Sequence, residues 1–277
     1  MRRAAAGLLA ALACVGAAAD EIATFRSADG TAIPGYLVRP AGKVAGAVVA
    51  LHGCGGLYVL QGARRGQLQA RYRQMAELLI AQGYAVLFPD SFLARGENEL
   101  CTQRLQGRSI GQDERRADAL AAMDWLGSQP WSAGDRVALL GWSHGATAVL
   151  FATDAGDADV KAQARRPRLA VAFYPGCNAA LKAGYRAASP LVLMLGGKDD
   201  WTPAAPCVEL GQRVQAEANV YPEAYHGFDN AAIPTVRLRR DVPNGAHPGH
   251  GVHVGLDAAA KEASYQRLLD LLARAFE

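Results

Sequence analysis

The chain has 277 residues, and past residue 20 it contains no low-complexity linker and no internal repeat. Solenoids and tethered arrays are therefore excluded. Charge of one sign is also lacking: 29 Lys and Arg face 26 Asp and Glu, for a net +3. The pairs Arg64-Arg65, Arg115-Arg116, Arg165-Arg166 and Arg239-Arg240 are short and scattered. They are expected to be solvated faces, and no clustered basic face of the kind that binds nucleic acid is present. No complete set of metal-ligating side chains is recognisable. His247, His250 and His253 in "HPGHGVH" lie three apart, but no nearby acids complete a set. No metal, nucleotide or other cofactor is expected.

An N-terminal Ala/Leu-rich run, residues 4–19, is too short for a comfortable membrane span. Its context gives it another meaning. "MRRAAAGLLAALACVGAAADE" has two arginines, an apolar stretch and small residues before Asp20, the layout of a secretory leader. Residues 1–19 are read as that leader, with cleavage after Ala19, and residues 20–277 as one domain. The expected location is periplasmic or secreted, without stable membrane association after cleavage. Ala11 stands where a lipid-modified Cys14 would want a large aliphatic residue. Cysteine is scarce: of five, four remain after cleavage, Cys54, Cys101, Cys177 and Cys207. Export permits disulfides, and four cysteines allow three pairings.

What is present is ordinary globular composition, 51% hydrophobic and 20% charged, enough to bury one large core. Short apolar runs alternate with helix-length amphipathic stretches. Strands are expected at residues 22–26, 35–39, 47–51, 85–88, 137–140, 169–173, 191–195 and 219–221. Several are apolar throughout, as in strands covered on both faces. Leu68, Tyr72, Met75 and Leu79 keep helical spacing up to Gly83. Ala117 to Leu126 and Leu256 to Phe276 do the same. This alternation predicts a doubly wound α/β sheet. "SADGTAI" between the first two strands is hairpin-like, so the sheet should begin antiparallel and continue parallel. Residues 227–256, rich in Gly, Pro, Asn and His, read as a long loop.

One joint carries chemistry. Strand 137–140 meets Gly141-Trp142-Ser143-His144-Gly145, and an Ala-rich helical segment follows. A serine at such a strand-to-helix elbow is exposed, and glycines two residues to either side avoid clashes. Its hydroxyl needs a histidine as base and an acid to orient that histidine. The acid is expected just past strand 191–195, in Gly196-Gly197-Lys198-Asp199-Asp200, where open α/β sheets place their sites. Asp199 has the expected spacing and Asp200 competes. The histidine is His226, beside Gly227, which completes the order Ser143, Asp199, His226. Oxyanion donors are expected from the N–H of His144 and from the loop His52-Gly53-Cys54-Gly55-Gly56, at Cys54 or Gly55.

"HGCGG", "PDSFLARG", "GWSHGA", "GGKDDWTPA" and "YHGF", in this order, resemble the dienelactone hydrolase family of α/β-hydrolases over most of residues 30–275. The resemblance implies an α/β-hydrolase fold with a mostly parallel sheet of about eight strands. It also implies a triad matching Ser143, Asp199 and His226, and hydrolysis of small-molecule esters or lactones without a cofactor. Two departures stand out. The founding members use a cysteine nucleophile where this chain has Ser143, and they are cytoplasmic. Both argue against a dedicated dienelactone substrate. An arginine after their fourth strand meets the substrate carboxylate, and Arg95 resembles it, offset by one residue. Arg95, Gly55 and Trp142 are the candidates for substrate contact. The implied strand order places Cys54 near Cys101, and Cys177 near Cys207, at the sheet's carboxyl edge, so those are the expected pairs. The expected activity is that of a serine hydrolase working through an acyl-enzyme at Ser143. A peptidase or amidase of the same fold, or a non-catalytic binding protein on it, stays open.

Overall fold

The computed structural model describes residues 19–277, so all of the expected leader except Ala19 lies outside the described residues. The first two strands, β1 (Ala19–Arg26) and β2 (Ala32–Arg39), form the expected antiparallel hairpin. Then come β3 (Gly46–Leu51), α1 (Ala70–Ala81), β4 (Tyr84–Pro89), α2 (Gln112–Ser128), β5 (Val137–Trp142), α3 (His144–Phe151) and α4 (Ala158–Ala162). The second half runs β6 (Leu169–Phe173), α5 (Asn178–Ala183), β7 (Leu191–Gly196), α6 (Ala204–Val214) and β8 (Glu217–Tyr221). The helix α7 (Ala258–Phe276) closes the chain.

Eight strands make one sheet in the order β1-β2-β4-β3-β5-β6-β7-β8. β2 also pairs antiparallel with β4, and every later pairing is parallel. Every residue of β3 through β7 is buried, as helices on both faces require. Pleating sends neighbouring residues to opposite cores. Ala47, Val49 and Leu51 of β3 join the layer under α2, α3 and α6, with Met123, Leu126, Leu150 and Leu210. Val48 and Ala50 join the layer under α1 and α7, with Met75, Leu79, Leu268 and Leu272.

The chain leaves β3 to one side for β4 and returns on its other side as β5. The loops after β3 and β5 therefore diverge at the carboxyl edge and leave a crevice between them. Both disulfides form in the expected pairs: Cys54–Cys101 joins the loops after β3 and β4, and Cys177–Cys207 joins the segment after β6 to the first turn of α6.

Two expectations need correction. Residues 227–256 are not only loop: β9 (Arg237–Arg239) and β10 (Val252–Val254) form a short antiparallel ribbon. Val252 and Val254 of β10 pack in a small cluster with Val242, Trp201 and Ile233. Asp200 braces it, accepting from the His253 main-chain N–H at 2.8 Å and pairing with its Nδ1 at 2.6 Å. Nor is Arg115-Arg116 a solvated pair. Arg116 reaches Asp113, Asp157 and Asp159 near the surface, but Arg115 is wholly buried. Among the described residues no helix is long and apolar enough to cross a membrane.

Candidate active site

β5 ends at Trp142 and α3 begins at His144, so Ser143 alone must turn the chain. It does so at φ 53° and ψ −116°, a region of backbone strain for any side chain. The turn also needs its two glycines. A Cβ on Gly141 would lie 2.4 Å from the Gly145 carbonyl oxygen, and one on Gly145 only 2.0 Å from that of Leu51. Both are main-chain collisions and cannot relax by rotamer. Gly145→Ala should therefore destabilise the protein by about 3 kcal/mol or more, read as a lowered midpoint in urea. An unchanged midpoint would show that the elbow is looser than this.

The elbow presents Ser143 Oγ to His226 Nε2 at 2.9 Å, and His226 Nδ1 meets Asp199 Oδ2 at 2.8 Å. Asp199 is fixed in turn: its Oδ1 accepts from the N–H groups of Trp201 and Thr202, both at 2.8 Å. Thr202 Oγ1 lies 3.0 Å from Asp199 Oδ2 and 3.1 Å from His226 Nδ1. Trp201 and Tyr174 pack on the imidazole, each with its ring centre 4.6 Å away. Asp200, the competing acid, is engaged by His253. Such an arrangement can draw the proton from a serine hydroxyl and hold the resulting imidazolium.

Opposite the histidine lies the loop after β3. Gly53 is so close to the elbow that a Cβ there would sit 3.3 Å from the Trp142 carbonyl and 3.6 Å from Ser143 Cβ. Its N–H donates to Tyr72 Oη at 2.9 Å. Cys54 is tied twice to one distant segment, by the bridge to Cys101 and by its carbonyl accepting from Leu100 N–H at 2.7 Å. Among the described residues, no main-chain acceptor outside the regular elements takes the Cys54 or His144 N–H. A first-turn helix N–H such as that of His144 has none within its helix either.

The three proposed substrate contacts fare differently. Trp142 is wholly buried, and its Nε1–H donates to Asp229 at 2.8 Å. It is part of the core beneath the elbow. Arg95 grips Asp118 with both terminal nitrogens, at 2.8 and 3.0 Å, and also reaches Asp29 and the Ser91 carbonyl. Its guanidinium is consumed in bracing, which corrects the expectation of a substrate contact. Gly55 sits behind Cys54, its carbonyl accepting from Gln69 at 3.0 Å.

The space beside Ser143 is a cavity of about 490 Å³, with Phe151, Trp201, Pro203 and Pro206 on its apolar wall. Arg108 and Gln112 supply polar wall. An open groove of about 550 Å³ over Tyr58–Arg64 touches none of the three residues. His144, also on the cavity wall, is held well below the ordinary imidazole range by burial and then by the Arg115 charge. Among the described residues no cluster of three or more His, Cys, Asp or Glu could hold a metal ion.

Sequence reasoning missed Thr202, Tyr174, Asp229 and Arg115. Thr202 stood in the quoted "GGKDDWTPA", and its offset of three from Asp199 was the available sign. The other three show their role only once the chain has folded.

The profile of the dienelactone hydrolase family matches residues 33–276. The chain belongs to this family. It is thus a hydrolase of the α/β-hydrolase superfamily. Solved structures share the fold at low identity. A dienelactone hydrolase from Anabaena variabilis is 19% identical, with 93% of this chain and 98% of that one covered at a TM-score of 0.63. A dienelactone hydrolase-like promiscuous phosphotriesterase, P91, from metagenomic libraries is 20% identical, with 95% and 100% covered at 0.67. An acetyl xylan esterase from Paenibacillus is 16% identical, with 76% and 83% covered at 0.52. No curated protein matches the chain.

Proposed function

We propose that this dienelactone hydrolase family member is a serine hydrolase that cleaves carboxylic esters or lactones through an acyl-enzyme at Ser143. One observation carries the proposal: the continuous contact from Ser143 Oγ through His226 to Asp199, at 2.9 and 2.8 Å. In the first step Ser143 Oγ attacks the ester carbonyl while His226 Nε2 takes its proton. Asp199 keeps the His226 proton on Nδ1 and stabilises the imidazolium. The N–H groups of Cys54 and His144 receive the developing oxyanion. His226 then protonates the departing alcohol. Water then attacks the acyl carbonyl while giving a proton to His226, and as the acid leaves His226 returns that proton to Ser143 Oγ.

The cavity beside Ser143 suits a small acyl or alcohol group against its apolar wall. The two disulfides favour an oxidising location, in keeping with an exported protein.

The test is a fluorophosphonate probe and a series of p-nitrophenyl esters of rising chain length, with Ser143→Ala beside the wild type. Labelling and turnover, both confined to the wild type, are the expected result. A folded wild type that shows neither would leave a binding protein on a hydrolase scaffold as the better account.

A further inference from the structure

The oxyanion loop rests on a buried pair of residues that the mechanism above does not use. His52 ends the run from β3 into the loop and is wholly buried. Its Nδ1 lies 2.9 Å from the carbonyl oxygen of Gly53. A carbonyl only accepts, so this nitrogen carries the ring proton. The Gly53 carbonyl and the Cys54 N–H are the two ends of one planar amide. A donor on the oxygen fixes the plane of that amide and strengthens its N–H as a donor, by roughly 10–30% in condensed-phase estimates.

Arg115, reaching up from α2, holds the histidine. One terminal nitrogen donates to the His52 carbonyl at 2.7 Å. The other is 3.1 Å from Nε2 and 3.4 Å from Nδ1. Two ring nitrogens at nearly equal distance place it over the imidazole face, not in line with the Nε2 lone pair. Phe92 meets the same imidazole at 85° with ring centres 4.5 Å apart, and the guanidinium carbon lies 5.1 Å from the Phe92 ring centre. Burial and the guanidinium both hold His52 well below the ordinary imidazole range. The nearest carboxylate to its ring, Asp90, is 3.8 Å from Nε2 and accepts from the Phe92 and Leu93 N–H groups.

Arg115 needs an explanation in its own right. It is wholly buried, its Nε has no partner, and among the described residues it makes no ion pair within 4.0 Å. The carboxylate one turn away, Asp118, is gripped by Arg95. Burying a cation so incompletely paired is costly, and burial draws Arg115 down to about 10. Its direct polar contacts are all to His52.

We propose that His52 and Arg115 are positioning residues for the oxyanion donor: His52 donates from Nδ1 to the Gly53 carbonyl and so aims the Cys54 N–H, while Arg115 clamps the imidazole and its main chain. This rests on the esterase proposal, since it assigns Cys54 N–H to the oxyanion.

Two measurements test it. Nitrogen-15 NMR of the intact protein should show His52 as the neutral tautomer protonated on Nδ1. An Nε2-protonated ring, or an imidazolium near neutral pH, would overturn the pair. Kinetically, His52→Phe keeps a ring for Arg115 to lie on but removes the donor. Its kcat should fall about tenfold to a hundredfold, less than the 10²–10³ that follows loss of a whole donor, with KM within about twofold. Affinity for a trifluoromethyl ketone, which mimics the tetrahedral anion, should fall with kcat. Arg115→Lys keeps one bond to the His52 carbonyl and should lie between, and it carries the kinetic arm should His52→Phe fail to fold. A wild type without Ser143-dependent turnover overturns the esterase proposal itself. Turnover with a kcat indifferent to His52→Phe, or a loss confined to KM, overturns this one alone.

Discussion

Ser143→Ala should lower kcat/KM toward p-nitrophenyl esters by a factor on the order of a million, the scale seen when such a nucleophile is removed. The size follows from the proposed division of labour. Without Oγ there is no covalent intermediate, and His226 has no proton to take. What survives is binding and the oxyanion donors, which alone retain a rate some 10³–10⁴ above that in water. Removing His226 as well should add little, because the relay acts as a unit. Asp199→Asn should cost about 10⁴, since the amide can present an N–H to His226 Nδ1 and hold the wrong tautomer. Steady-state kinetics on the three variants check this. A Ser143→Ala protein that keeps most of the wild-type rate would remove the acyl-enzyme from consideration.

Asp229→Ala should cost about 3–5 kcal/mol of stability, the penalty for stripping one partner from a buried ion pair. Asp229 is wholly buried three residues past His226. It accepts from Trp142 Nε1 at 2.8 Å, from Tyr174 Oη at 2.6 Å and from Tyr265 Oη at 3.1 Å. Arg71 Nε is 3.6 Å away, and Arg71 also donates to Tyr174 Oη at 2.7 Å. Burial opposes the Arg71 charge most strongly, but Asp229 together with the Tyr174, Tyr72 and Tyr265 hydroxyls outweighs it and keeps Arg71 above the ordinary guanidinium range. Burial first, and the carboxylate with it, also pushes the Tyr174 and Tyr265 hydroxyls well up. Alanine would leave a cation and three donors without their acceptor. For a chain of this length the melting temperature should drop by about 5–10 °C. Asp229→Asn, which keeps an acceptor and loses the charge, should be milder. Thermal melts of both decide it, and wild-type stability in Asp229→Ala would mean that water or another acceptor replaces the carboxylate.

Asp229 also bears on the site. Trp142 precedes the nucleophile, and Tyr174, itself at φ 42°, packs on His226. One carboxylate thus ties the elbow to the histidine turn. Nothing local announces this. Asp229 stands in a Gly- and Asn-containing stretch that reads as loop, and its burial depends on α1, β6 and α7 arriving from far away in sequence. Arg115 is hidden in the same way: on its helix it looks like half of a charged pair, and only the loop after β3 makes it a core residue. Arg95 misled for the opposite reason. Its place after β4 matched a family pattern, but Asp118 is one turn beyond Arg115 on a helix whose approach the sequence does not specify. The elbow was legible because it is local: a strand, two glycines with no room for a Cβ, and a serine between them. The eight strands were legible because apolar runs bounded by turns leave few other readings. β9 and β10, at three residues each, are too short to carry a period, and β10 is held by Asp200, which is distant in sequence.

The pairing of the cysteines has a consequence for how the chain is made. Among the four cysteines of the described residues the bridges join first to second and third to fourth, enclosing 47-residue and 30-residue separations. Neither ring contains the other, and Ser143 lies between them. If the chain emerges amino end first into an oxidant, each of these cysteines meets its correct partner before the next pair is available. Consecutive pairing is the pattern that vectorial delivery favours, so this connectivity can form without a reshuffling step.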